Sequence, residues 1–110
     1  MFRKVLALGF AGLALSAALA SAGATVSYPS GSESVSGYLA ASESPGRKPA
    51  IVVIHEWWGL NDFAKAKADG FAKQGYVALA VDLYRGKVAS DPDMAHQLMR
   101  GLPDDRGCAT

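Results

Sequence analysis

The chain has 110 residues, half of them apolar, and a formal net charge of +1. That composition suits one packed domain or part of one and excludes a disordered tail or a multidomain enzyme. No basic block is present, so no nucleic acid or other polyanion is implied as a partner. Cys108 is the single cysteine, which rules out an internal disulfide and leaves packing to hold the fold.

Arg3 and Lys4 precede an apolar run from Val5 to Ala18, and small residues follow. A membrane-spanning helix needs roughly 20 apolar residues; this run is shorter, Ser16 interrupts it and Ser21 follows soon after its end. The expectation is a signal peptide over residues 1–24 and an exported product, periplasmic or secreted, with no stable membrane anchor after cleavage. Ala20, Ala22 and Ala24 each close an A-x-A triplet, and the sequence does not rank them. Loss of residues 1–24 removes Arg3 and Lys4 and leaves nine Lys plus Arg against ten Asp plus Glu. A chain of that remaining size has a marginal core unless its architecture is complete.

Residues 25–41 alternate β-favouring and polar positions around Tyr28 and from Val35 to Leu39, with Pro29, Ser30 and Gly31 as turn chemistry between them. Two short strands in a hairpin fit this pattern. Ser42 to Pro49 is polar and carries Pro45 and Gly46, so it reads as a surface connection. Ala50 to His55 (AIVVIH) is a β-branched run of the kind buried on both faces in a parallel sheet.

Asn61 or Asp62 can cap a helix whose apolar positions are Ala64, Ala68 and Phe71, while Lys65, Asp69 and Lys73 form a charged, solvated face. Gly75 stops that helix, and Tyr76 to Val81 gives another buried strand. Strand, helix and strand make a βαβ unit, so the fold class is α/β. After the DLYRGKVASDP loop, Asp91 with Pro92 in the first turn opens a further helix to about Arg100.

Ligands of open parallel sheets bind beyond the carboxyl ends of the strands. Two clusters fall there, His55-Glu56-Trp57-Trp58-Gly59 and Asp82-Leu83-Tyr84-Arg85-Gly86. Glu56 can act as a base, the indoles as an apolar wall, and backbone amides entering the helix as anion donors. The plainer alternative has the tryptophans covering the sheet edge, Glu56 paired with a lysine or arginine, and Asp82 capping a turn. A zinc-peptidase H-E-x-x-H is excluded because its second histidine would fall at Gly59. Neither a metal site nor a cofactor is implied.

The stretch from Pro49 to Arg85, PAIVVIHEWWGLNDFAKAKADGFAKQGYVALAVDLYR, resembles the dienelactone hydrolase family through its HE-x-x-G-x-N turn and GYVALAVDLY strand. The resemblance implies the N-terminal part of a doubly wound α/β-hydrolase sheet, with residues 25–110 as a partial domain. It also implies hydrolysis of a small-molecule lactone or ester through a cysteine or serine nucleophile. By the same resemblance, Glu56 holds and helps to ionise the nucleophile, and the amide of Trp57 is one oxyanion donor. Trp58 lines the substrate pocket, and Tyr84 and Arg85 lie in the substrate-side loop.

The expected nucleophile elbow G-x-[SC]-x-G, followed by an acid and a histidine, is missing from these residues. Cys108 lacks both flanking glycines in the correct places, and His55 and His96 precede any elbow. A hydrolase of this fold usually runs to about 200 residues or more. The expectation is therefore a truncated, N-terminal part of an exported hydrolase that is inactive by itself. The alternatives are a noncatalytic small-molecule binding protein of the same fold and an inert truncated product.

Overall fold

The computed structural model describes residues 22–104. Most of the expected signal peptide, together with Cys108, lies outside them. Four strands form one sheet: β1 (Ala24–Ser30), β2 (Glu33–Ala41), β3 (Ala50–Ile54) and β4 (Val77–Val81), in the order β1-β2-β4-β3. Two helices follow β3 and β4: α1 (Asp62–Lys73) and α2 (Pro92–Arg100).

The hairpin β1-β2 is antiparallel and turns after Ser30, so Pro29 lies within the strand opposite Ser34. A proline fits there because, among the described residues, β1 is an edge strand with no further partner for a backbone N–H. β2 then pairs antiparallel with β4, and β3 pairs parallel with β4, joined through α1 as the βαβ unit expected from the sequence.

Asn61 is the N-cap of α1, its side chain accepting from the amide of Ala64 at 3.1 Å. The helix closes in a Schellman arrangement: Gly75 N–H donates to Ala72 O at 3.0 Å and Tyr76 N–H to Phe71 O at 3.1 Å, with Gly75 at φ +98°. Asp91 caps α2, accepting from Met94 N–H at 2.8 Å, and Pro92 occupies the first turn.

One face of the sheet carries the core. Ala40, Ala78 and Ala80 meet Ala68 and Ala72 of α1, with Tyr38, Val53, Leu60 and Phe71 around them. Alanine on both sides lets helix and sheet approach closely, at the expense of apolar area per residue.

Two expectations are corrected. β3 is buried on one face only: Val52 is 62% and Ile54 69% exposed, because among the described residues no helix covers the side away from α1. The charged face of α1 is not wholly solvated either. Asp69 turns inward, and its two oxygens accept from the Tyr38 hydroxyl at 3.0 and 3.1 Å. Burial, and then the hydrogen bond and charge of Asp69, raise the pKa of the Tyr38 phenol above its ordinary value.

Candidate functional site

Parallel pairing of Ile54 with Val81 brings the carboxyl ends of β3 and β4 side by side, so both sequence clusters emerge at one end of the sheet. His55 ties them together. Its Nε2 accepts from the Leu83 amide at 3.1 Å, and its Nδ1 lies 2.6 Å from Glu56 O. A ring that accepts at Nε2 and donates at Nδ1 is neutral, with the proton on Nδ1. His55 is buried, and its ring packs on that of Tyr84 at 4.8 Å between centroids. A second tie runs from Ala89 N–H to Trp58 O at 2.8 Å.

Glu56 to Gly59 form a tight turn closed by Gly59 N–H donating to Glu56 O at 3.2 Å. Gly59 has φ +95°, and a Cβ there would lie 2.6 Å from Lys87 O. Glycine is required on both counts. The turn leaves the Trp57 amide without a protein acceptor among the described residues. Glu56 is exposed and forms no ion pair or hydrogen bond through its carboxylate among them. Among the described residues, the lysine or arginine pairing weighed for Glu56 therefore does not occur.

Asp82 does cap a turn: its oxygens accept from Tyr84 N–H at 3.0 Å and Gly86 N–H at 2.6 Å. Between these two anchored amides, Arg85 adopts φ +52°, a conformation uncommon outside glycine.

The expected site residues divide between clefts. Glu56 and Trp58 share one of about 380 Å³ with Asn61, Phe63 and Lys67. Arg85 borders a larger one of about 700 Å³ with Glu33, Lys65 and Asp82. Its guanidinium donates to both oxygens of Glu33, at 2.6 and 2.5 Å. The Tyr84 side chain is buried behind His55, and burial raises its phenol pKa. Trp57 is 39% exposed and meets Trp58 edge to face at 5.3 Å.

The Lys67 contribution to the smaller cleft was missed in the sequence. Its i, i+4 spacing from Phe63, over whose ring its Nζ sits at 5.1 Å, was the available signal. The Glu33–Arg85 pair spans 52 residues and left no local signal. Among the described residues, no group of three or more His, Cys, Asp or Glu side chains could hold a metal ion.

This arrangement puts a carboxylate and an amide, each without a partner among the described residues, on one turn beside an aromatic-lined cleft. Over 87 residues the chain is 40% identical to "Protein usf" of Aquifex pyrophilus and 38% identical to the "Putative carboxymethylenebutenolidase" of Aquifex aeolicus. Each match covers 76% of this chain and 37% of the relative, so the chain spans just over a third of their length.

A dienelactone hydrolase-like promiscuous phosphotriesterase from metagenomic libraries superposes with a TM-score of 0.65 at 31% identity, covering 77% of this chain and 36% of that one. The sequence profile of the dienelactone hydrolase family matches residues 35–109. With its mixed α/β sheet and the turn after β3, this chain belongs to the dienelactone hydrolase family.

Proposed function

We propose that this chain is the N-terminal part of an exported enzyme that hydrolyses a small-molecule lactone or ester by nucleophilic catalysis, with the nucleophile supplied from outside these residues. The observation that carries the reading is the Glu56–Gly59 turn, which presents together, at the carboxyl end of β3, a Glu56 carboxylate and a Trp57 N–H that have no partner among the described residues. In the proposed reaction a thiolate or alkoxide adds to the carbonyl carbon. The Trp57 amide stabilises the resulting oxyanion, the alkoxide leaves, and water hydrolyses the acyl-enzyme. Glu56 poises the nucleophile and Trp58 walls the acyl group, while Tyr84 backs the His55 ring from behind and Arg85 lies on the neighbouring, larger cleft. Export is supported by Arg3, Lys4 and the apolar run that follows them.

The test starts with the coding DNA beyond the codon for Thr110, translated in all frames and searched for an elbow followed by an acid and a histidine. The complete product is expected to turn over an activated aryl ester or an enol lactone. Glu56→Ala is expected to lower kcat by about 100-fold or more, the usual scale for a group that positions or activates a nucleophile. The 110-residue chain alone is expected to show no turnover. Turnover by that chain, abolished by Glu56→Ala, would overturn the assignment of the nucleophile. Ligand-dependent tryptophan fluorescence without turnover by the complete product would favour a binding protein instead.

A further inference from the structure

The three A-x-A triplets at the end of the leader are equivalent in sequence, but the fold treats the peptide bonds after them differently. Gly23 N–H donates to Asp69 Oδ1 at 3.2 Å, and the same carboxylate accepts from the Tyr38 hydroxyl. Gly23 is fitted into this seat. A Cβ there would lie 2.5 Å from Tyr38 Cε1 and 2.8 Å from Leu39 O, separations that real side chains do not show. The next residue, Ala24, is already paired with Leu39 in β1. A cut after Ala24 would remove the Gly23 donor. A cut after Ala20 would leave it an ordinary amide.

We infer that maturation cuts the Ala22–Gly23 bond and that the new α-ammonium of Gly23 pairs with the Asp69 carboxylate, fastening the start of β1 to α1. The inference rests on the leader proposed above. The step is a hydrolysis by a leader peptidase of the host: water adds across the Ala22–Gly23 amide, Ala22 leaves as a carboxylate, and the Gly23 nitrogen takes up a proton. An α-amino group has a pKa of about 8 and is mostly charged at neutral pH. The existing N–H to carboxylate contact therefore becomes a charge-assisted one without any movement of the chain.

The test expresses the full 110-residue chain in a bacterium with an intact export pathway and reads the N-terminus of the product from a denaturing gel, so that folding is not required. Gly23 is the expected first residue. A product beginning at Ser21 or Thr25 would overturn the cut site while leaving the leader intact, whereas one beginning at Met1 would remove the leader itself and this inference with it. In a second arm, dilute anhydride acylates the α-amine of the chain beginning at Gly23 at neutral pH. Asp69→Asn is expected to speed that labelling several-fold. Equal rates with and without Asp69→Asn would overturn the ion pair.

Discussion

Replacing Gly59 with alanine tests whether the turn after β3 is built as described. The left-handed backbone at φ +95° costs an L-residue about 1–2 kcal/mol. The new Cβ would lie 2.6 Å from Lys87 O and 3.1 Å from Tyr84 Cδ2. The first of these is backbone and cannot swing aside, so overpacking adds roughly 1–3 kcal/mol. The expected loss is thus about 2–5 kcal/mol, a large share of the stability of a small domain.

Gly70 provides the opposite control. It lies inside α1, and a methyl added there would meet nothing within 4 Å, so Gly70→Ala is expected to stabilise by about 0.5–1 kcal/mol through helix propensity. Urea unfolding, followed by the fluorescence of Trp57 and Trp58, measures both. With a slope of about 1–1.5 kcal/mol per M, Gly59→Ala lowers the midpoint by more than about 1 M and Gly70→Ala raises it. If Gly59→Ala stayed within about 0.5 kcal/mol of the parent, the close approach of this turn to the Lys87 carbonyl would be refuted.

Three further outcomes are expected. His55→Phe keeps a ring against Tyr84 but leaves the Leu83 amide without its acceptor; a loss of roughly 1–3 kcal/mol is expected, and an unchanged urea midpoint would show that the histidine does not join the two loops. Burial raises the phenol pKa values of Tyr28, Tyr38 and Tyr84, with the charge of Asp82 adding at Tyr28 and Asp69 at Tyr38. The folded state then holds these protons more tightly than the unfolded chain, so their contribution is intact below about pH 10 and is lost as pH rises through the raised values. Melting temperatures that stay level from pH 9 to 11, an interval of about 1 either side of the ordinary tyrosine pKa, would contradict this. Ile54→Lys places a charge on the uncovered face beside Val52; it is expected to reduce self-association of the 110-residue chain in light scattering, at little cost in stability.

Local chemistry was legible in the sequence. Asn61, Gly75, Asp91 and Pro92 mark helix ends by satisfying or lacking particular backbone groups within a few residues, and such interactions need no tertiary partner. The β-branched run of β3, the alanine spacing of α1 and the strand of β4 fixed the βαβ unit, and Pro49 to Arg85 carried the family. The sequence also placed both candidate clusters at one end of the sheet, because parallel strands joined by a crossover helix must present their carboxyl ends together.

Long-range pairing is what only the tertiary structure decided. Antiparallel docking of β2 onto β4 brought Tyr38 to Asp69 and Gly23, and so turned a helix-face carboxylate inward. His55 became a bridge because the Leu83 amide arrives from a different strand, and Arg85 was claimed by Glu33 from the hairpin. The exposed side of β3 follows from the same cause. A β-branched run prescribes a strand that can be buried on both faces, but which faces are covered depends on the elements packed against it, and periodicity within the strand does not encode that.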